Sequence, residues 1–204
     1  MFKDRYDAAN QLAESLKKYK NNTDVVIVAI PRGALQIGSV LAKNLMVPLD
    51  VVLTKKIGAP GQPELAIGAV SLQGQYIDPE FSIDAHYIEQ EVKRIRKALQ
   101  DRHKKYYKNR AAIDLKNKIV ILTDDGVATG QTVLAAIELI KQQEPKKIIV
   151  ALPVGPRDTI EKIKKKVDEV VCLLVPEFFY AIGQFYQHFP QVEDEEACLL
   201  FEKS

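Results

Sequence analysis

Apolar residues recur along this chain in two alternating patterns: short continuous runs, and longer stretches with apolar positions three or four residues apart. The continuous runs predict buried strands, at residues 24–30, 49–54, 119–122, 147–153 and 169–175. The spaced positions predict helices, at residues 5–20, 34–45, 84–108, 133–140 and 156–166. Strands that alternate with helices favour the α/β class, with a doubly wound, mainly parallel sheet. Such a sheet binds ligands beyond the carboxyl ends of its strands.

Two segments depart from this alternation. Residues 55–78 are rich in Gly and Pro and contain two short apolar runs, which predicts a loop with a small hairpin. Residues 175–186 are dense in aromatic side chains, and residues 192–200 predict a short closing helix with acids in its first turn. The chain has 204 residues, with no internal repeat and no clear linker, so we expect a single domain over residues 1–204.

Composition excludes several classes of function. The formal net charge is +2, so no overall field draws the protein to nucleic acid or to a membrane surface. Cys172 and Cys198 are the two cysteines, and without a Cys/His cluster they form neither a disulfide framework nor a zinc site. No apolar run approaches the roughly 18 residues of a membrane span. The N-terminus is charged and amphipathic, without a leader-like apolar segment, so we expect a soluble, cytoplasmic protein.

The segment 118–132, KIVILTDDGVATGQT, carries the strongest functional signal. Two carboxylates, Asp124 and Asp125, follow an apolar strand, and a loop of small and hydroxylated residues then leads into a helix. The first N–H groups of a helix have no partner within it, and the helix dipole favours negative charge, so this loop is a candidate phosphate site. Its residues are Gly126, Val127, Ala128, Thr129, Gly130, Gln131 and Thr132.

The two acids indicate which kind of phosphate binds. They would repel a bare phosphate, but two carboxylates can accept hydrogen bonds from a pair of ribose hydroxyls while the loop holds the phosphate. The segment lacks the Lys of a P-loop and the spacing of a dinucleotide-binding motif. We therefore predict a site for a ribose 5-phosphate group. The alternative is an ordinary strand, loop and helix with acidic surface residues.

The sequence VILTDDGVATGQT resembles the binding motif for phosphoribosyl diphosphate (PRPP) in the type I phosphoribosyltransferases: four apolar residues, two acids, then a Gly/Thr-rich loop. The resemblance implies a core sheet with a flexible flap at about residues 55–78. It also implies a small hood at about residues 176–204, completed by the N-terminal helix. The implied reaction transfers ribose 5-phosphate from PRPP to a nitrogenous base and releases pyrophosphate.

The resemblance further implies a Mg²⁺ cofactor and a homodimer. Mg²⁺ would bridge diphosphate and ribose oxygens, because it prefers phosphate oxygens and few protein ligands, so that Asp124 and Asp125 would serve it indirectly. Catalysis would depend on positioning and charge stabilisation, with one of the acids helping to stabilise positive charge on the sugar. The acceptor base is not determined by the sequence.

Basic residues follow the first two predicted strands. Arg32 and Gly33 open the helix at residues 34–45, where a guanidinium and backbone N–H groups suit a diphosphate. By resemblance, residues 30–33 hold the pyrophosphate of PRPP, often through an unusual peptide bond. Lys55 and Lys56 end the second strand, and since side chains alternate along a strand, we expect one of them to face the diphosphate. The alternative is a turn with a solvated Arg and a solvated basic pair.

The flap and the hood have their own candidate residues. By resemblance the flap keeps water from the reactive sugar carbon, with Gly58, Gly61 and Gly68 as hinge points. In the hood, an aromatic ring stacks on the base, and the candidates are Phe178 and Phe179. The alternatives are a plain connecting loop, and aromatic rings that simply close the core.

A basic stretch supports a second hypothesis. Residues 91–110 contain nine Lys and Arg: Lys93, Arg94, Arg96, Lys97, Arg102, Lys104, Lys105, Lys108 and Arg110. Three interpretations of these residues are open. They are a solvated face, a dimer contact and, in a PRPP-binding regulator, a face that binds nucleic acid. One contiguous exposed stripe would favour the regulator, whereas charges interspersed with acids from neighbouring elements would favour the enzyme. We expect the enzyme, with PRPP and a nucleobase-like acceptor as partners and nucleic acid unlikely on the charge balance.

Overall fold

A sheet of five parallel strands forms the centre of the protein, in a computed structural model that describes residues 1–108 and 110–204. The strands are β1 (Val25–Ala29), β2 (Leu49–Val51), β3 (Lys55–Ala59), β4 (Gln62–Val70), β5 (Gln75–Ile77), β6 (Ile119–Thr123), β7 (Lys147–Val154) and β8 (Glu169–Leu174). The helices are α1 (Arg5–Ser15), α2 (Ala34–Leu45), α3 (Ala85–Tyr107), α4 (Gln131–Lys141), α5 (Arg157–Lys164) and α6 (Asp194–Glu202). This confirms the predicted α/β class with a mainly parallel sheet.

The strand order brings two loops together. The central sheet runs β2-β1-β6-β7-β8, with every neighbouring pair parallel. From β1 the chain passes through α2 to β2 on one side, and from β6 it passes through α4 and α5 to β7 and β8 on the other. Right-handed crossovers in opposite directions place α2 on one face of the sheet and α4 and α5 on the other. The order reverses between β1 and β6, where a doubly wound sheet has its ligand crevice.

The core explains why the strands read as continuous apolar runs. Strand β1 (VVIVA) is buried along its whole length, as are the last four residues of β6 (IVILT). Since a parallel sheet is covered by helices on both faces, neither side of these strands needs polar residues. Helices α1 and α6 both pack against α2.

The second strand is shorter than predicted. It ends at Val51 rather than at residue 54, although the Val52 N–H still donates to the Ala29 carbonyl at 3.1 Å. The chain then leaves the sheet edge, so Lys55 and Lys56 begin β3 of a different sheet. The prediction that they end the second strand of the main sheet is wrong, because the apolar run 49–54 continues past the strand into the turn.

Residues 55–77 form a second, antiparallel sheet in the order β3-β4-β5, not a loop with a small hairpin. This sheet contacts α3 and α4, and the Tyr87 hydroxyl donates to the Gly58 carbonyl at 2.8 Å. Of the three glycines predicted as hinge points, Gly58 and Gly68 lie inside paired strands, and Gly61 lies in the β3–β4 turn. The sequence pattern missed these strands because Gly and Pro are depleted in strands, while tertiary packing overrides that preference.

Backbone hydrogen bonds join the start of the chain to a segment that follows β8. The Phe2 N–H donates to the Phe185 carbonyl at 2.8 Å, and the Phe2 carbonyl accepts from the Gln187 N–H at 2.9 Å. The start of α1 is thereby tied to residues 185–189, which follow a short 3₁₀ helix at Ile182–Phe185. The N-terminal helix and the predicted hood region are therefore held together by backbone hydrogen bonds.

A charged cluster closes the opposite, amino-terminal edge of the sheet. The Glu169 carboxylate at the start of β8 accepts hydrogen bonds from Lys18 Nζ (2.7 Å), the Tyr19 hydroxyl (2.7 Å) and Lys147 Nζ (2.8 Å). Burial by itself would raise the pKa of Glu169, but these three donors outweigh it and lower the pKa to about 2. Hydrogen bonds from Lys147 to the Glu169 carboxylate and then to the Tyr19 hydroxyl raise the pKa of Lys147 to about 12.

We expect Glu169→Gln to lower the free energy of unfolding by about 2 kcal/mol at pH 7. A carboxyl whose pKa is lower in the folded state stabilises above its unfolded pKa, and that stabilisation is lost as the pH falls toward about 2. The difference between wild type and variant should therefore shrink in urea titrations taken from pH 5 to pH 2. Glu161→Gln, in the exposed Glu161–Lys164 pair, is the control, with a smaller effect at every pH. A Glu169 difference that does not change with pH would contradict this prediction.

Candidate active site

The loop after β1 lies directly against the acids after β6. A Cβ placed on Gly33 would lie 2.1 Å from Asp125 Oδ2 and 3.3 Å from Arg5 Nε. The φ of Gly33 is −54°, a value that any residue adopts, so glycine is required here for close approach. The peptide bond between Pro31 and Arg32, just before it, is cis. The topology thus joins the segment predicted for pyrophosphate to the acids predicted for the ribose.

We expect Gly33→Ala to cost about 1–3 kcal/mol of stability and to weaken binding of the predicted ligand, PRPP, because its methyl group would collide with a carboxylate that has no room to move. Gly74→Ala is a matched control, since its Cβ would also lie 2.1 Å from an oxygen, but that oxygen ends the flexible, exposed side chain of Gln142. Urea denaturation and PRPP titration of both variants measure the difference. Equal losses in the two variants would show that contact with Asp125 is not the cause.

The two acids occupy different environments. Asp124 Oδ1 accepts from the Asp125 N–H at 2.9 Å, while Asp125 Oδ2 accepts from Arg5 Nε at 2.8 Å. The Tyr186 hydroxyl donates to the Asp125 carbonyl at 2.7 Å. Burial and then the nearby Asp125 charge raise the pKa of Asp124 well above its usual range. Burial also raises the pKa of Asp125, but there the Arg5 guanidinium opposes the increase.

The loop between β6 and α4 is anchored from beneath and open above. The buried Val127 donates its N–H to the Val154 carbonyl at 2.9 Å, and Thr159 Oγ1 donates to the Ala128 carbonyl at 2.7 Å. Gly130 precedes α4 with a left-handed φ of 83°, a conformation that favours glycine. The side of the loop that faces solvent is formed by Ala128, Thr129, Gln131 and Thr132. The first backbone N–H groups of α4 and the hydroxyls of Thr129 and Thr132 thus lie at the same edge of the sheet as the acids. Such hydrogen-bond donors suit a phosphate monoester.

The Arg32 side chain is directed toward the acids at the start of α6. Its Nη1 lies 3.8 Å from both Glu193 Oε2 and Asp194 Oδ1. Ion pairs of this length between partly exposed groups contribute little free energy, so Arg32 remains free to turn toward a ligand.

Lys55 and Lys56 lie on opposite sides of β3. Lys56 Nζ pairs with Glu64 Oε2 across the hairpin at 2.8 Å. Arg94 and, more weakly, Lys55 lower the pKa of Glu91 on α3. Glu64 is thereby the ionic partner of Lys56.

The hood residues predicted to stack on a base have different exposures. Phe178 is 69% exposed, whereas Phe179 is half-buried with its ring centroid 5.4 Å from that of Phe185. Gln184 holds this turn, because its side chain accepts from the Tyr180 N–H and donates to the Phe178 carbonyl. Phe178 is therefore the more accessible ring.

Sequence reasoning missed the residues that join the hood and the N-terminus to the site. Arg5 and Tyr186 both bind Asp125, and a Cβ on Gly126 would lie 2.6 Å from Ile182 Cγ2. One signal was present: Arg5 stands at helical spacing from the buried Ala8, Ala9 and Leu12 of α1. An Arg in an apolar stripe indicates a buried partner. The neighbouring Tyr6 lies outside this stripe and is 41% exposed.

Acids from α6 neutralise one end of the basic helix α3. Lys105 Nζ lies 3.3 Å from Asp194 Oδ2, and Lys108 Nζ lies 2.6 Å from Glu202 Oε2. Tyr106 and Tyr107 are buried, so they serve helix packing rather than stacking on bases. At the other end, Lys93, Arg96 and Lys97 border a shallow groove beside β5. Acids from a neighbouring element are thus interspersed with the basic residues at the carboxyl end of α3.

Residues 1–108 and 110–204 contain no group of three or more His, Cys, Asp and Glu side chains that could hold a metal ion. Within the same ranges, no helix combines the length and the apolar character that crossing a membrane requires.

Comparison with known proteins identifies the family. A family model described as the phosphoribosyl transferase domain matches residues 2–189, so the chain belongs to the phosphoribosyl transferase domain family. The crystal structure of TT1426 from Thermus thermophilus is 36% identical, with a TM-score of 0.90 over 99% of this chain and 98% of that one. These findings confirm the predicted family resemblance, and the shared fold agrees with the predicted sheet.

Two curated relatives come from Mycobacterium tuberculosis, strains CDC 1551 and H37Rv. Each is 34% identical over 209 residues, which cover 100% of this chain and 47% of the relative. Both are named phosphoribosyl transferases only provisionally. The chain spans about half the length of these curated relatives.

Proposed function

We propose that this protein transfers ribose 5-phosphate from PRPP to a nitrogenous base and releases pyrophosphate. The observation that carries the proposal is the meeting of three features at one sheet edge: the acids Asp124 and Asp125, the open loop before α4, and the close-packed turn at Gly33. Family membership supports the transferase class. The proposal adds the substrates and the roles of the residues.

In the proposed complex, each part of PRPP contacts a different segment. The loop from Gly126 to Thr132 binds the 5-phosphate through N–H groups and hydroxyls. Asp124 and Asp125 accept hydrogen bonds from the ribose diol. Residues 30–33, with Arg32 free to turn, and one of Lys55 and Lys56 bind the diphosphate. The exposed ring of Phe178, with Phe179 behind it, faces the base.

The chemistry then needs no covalent intermediate with the protein. The bond between the sugar C1 and the diphosphate oxygen breaks, a bond between C1 and a base nitrogen forms, and the base loses a proton. Positive charge develops on the sugar while the bonds exchange, and carboxylates fixed beside it stabilise that charge. Rigid placement of both reactants supplies the remaining rate enhancement.

A Mg²⁺ ion fits the donor set of the site. Asp124 is partly exposed, no described residue donates a hydrogen bond to its Oδ2, and carboxylate oxygens suit this cation. Most of its ligands would come from the substrate's own oxygens, with Asp124, and less directly Asp125, on the protein side. When bound, the ion would neutralise charge on the departing diphosphate.

The proposal is tested by incubating the protein with PRPP, Mg²⁺ and a panel of purine and pyrimidine bases, and measuring pyrophosphate. Release that depends on one base, above the rate without base, supports the transferase and identifies the acceptor. PRPP binding without release for any base would instead support a regulator or a catalytically silent relative. Failure to bind PRPP would overturn both alternatives.

A further inference from the structure

Arg5 is a buried cation that contacts the active site from outside the binding motif. It is 4% exposed. Its Nε donates to Asp125 Oδ2 at 2.8 Å, its Nη1 donates to the Pro190 carbonyl at 2.8 Å, and its guanidinium carbon lies 3.7 Å from the centroid of the Phe189 ring. The guanidinium is therefore held by α1, by the hood and by the acid at once.

Asp125 is fixed by these contacts in one orientation. Oδ2 faces Arg5 and lies against the backbone of Gly33, while the hydroxyl of Tyr186 holds the carbonyl of the same residue. No described residue donates a hydrogen bond to the other oxygen, Oδ1, and 14% of the Asp125 side chain remains exposed. One oxygen is thus used for positioning and one is left for a ligand.

We infer that Arg5 is a positioning residue, which holds Asp125 so that Oδ1 accepts a hydrogen bond from the ribose diol. This inference rests on the proposed function, because it needs a phosphosugar in the site. A carboxylate fixed in advance loses little rotational freedom when the sugar binds.

The test compares two ligands that share a phosphate monoester, ribose 5-phosphate with its diol and ethyl phosphate without one. Their affinities are measured by NMR titration for wild type, Arg5→Met and Arg5→Lys. Wild type should bind ribose 5-phosphate more tightly. Arg5→Met should lose roughly tenfold of that preference, the contribution of about one charge-assisted hydrogen bond. Its affinity for ethyl phosphate should stay unchanged, and Arg5→Lys should retain part of the preference.

A merely structural role predicts a different result. If Arg5 only stabilised the fold, Arg5→Met would lower the affinities for both ligands equally, and that outcome would overturn the inference. Arg94→Met is the matched control, because Arg94 also pairs with an acid but is 63% exposed on α3, and it should change neither affinity. Should Arg5→Met fail to fold, Arg5→Lys decides: a reduced preference supports the positioning role, and an unchanged one overturns it.

The same experiment distinguishes failure of the proposed function from failure of the inference about Arg5. If wild type bound both ligands equally, the diol would not be recognised at all, and the proposed roles of both acids would fail together with that of Arg5. If wild type showed the preference and Arg5→Met kept it with full strength, only the inference about Arg5 would fail.

Discussion

Asp124→Asn is expected to reduce pyrophosphate release by roughly 10²–10³-fold, the usual loss when one preorganised charge-stabilising group is removed. The asparagine keeps the size of the side chain, and its oxygen can still accept from the Asp125 N–H, as Asp124 Oδ1 does at 2.9 Å. The variant therefore removes the charge and leaves the shape. Pyrophosphate release with saturating PRPP and the active base measures the effect.

The same substitution should leave stability unchanged or raise it. Burial and the neighbouring Asp125 raise the pKa of Asp124, so the folded state disfavours its ionised form at neutral pH. A neutral asparagine avoids that penalty. Urea denaturation at several pH values measures the change in the free energy of unfolding. Any gain in stability should shrink as acid protonates Asp124 in the wild type. Loss of activity together with equal or greater stability is typical of a functional residue rather than a structural one.

Asp101→Asn is the matched control for this prediction, because it changes the net charge equally at an exposed position on α3. It should affect neither activity nor stability by a measurable amount. Unchanged turnover in Asp124→Asn would refute the role given to the first acid. Replacing both acids together would be less informative, since Asp125 also carries the ion pair with Arg5.

Asp125→Ala should have the largest effect on stability, a loss of about 3–5 kcal/mol in the free energy of unfolding. Arg5 and Asp125 are both shielded, with 5% and 14% of their side chains exposed, and the alanine would leave the guanidinium without its anionic partner. Breaking a buried pair from one side costs more than the pair contributes, because an uncompensated charge stays behind. Urea denaturation at pH 7 measures the loss.

A double-mutant cycle separates the ion pair from other effects of the site. Arg5→Met with Asp125→Ala removes both charges, and we expect it to recover much of the stability lost in Asp125→Ala. Glu91→Ala, which breaks the exposed pair with Arg94, should cost less than about 1 kcal/mol. An Asp125→Ala loss as small as that of Glu91→Ala would mean that the pair is solvated in solution.

Local signals carried much of the fold prediction. The helix predicted at residues 34–45 agrees with α2 at both ends, and the buried strands agree with β1 and β6 to within one or two residues. These elements are long or continuously apolar, and their periodicity is strong. The prediction failed at residues 55–77, where the strands of the second sheet contain Gly58, Pro63 and Gly68. Packing against α3 and α4 stabilises these strands although Gly and Pro have a low strand propensity.

By itself, the sequence determined the family motif, the order of the strands and helices of the main sheet, and the location of the acids and the predicted phosphate-binding loop at the end of one strand. These features are local, since they depend on residues within about one element of each other. Only the tertiary structure decided that the two acids lie in different environments, because Arg5 and Tyr186 contact Asp125 from positions 120 and 61 residues away in the sequence. Such contacts follow from the packing of α1 and the hood over the sheet, and no local pattern encodes which distant side chain will fill the space.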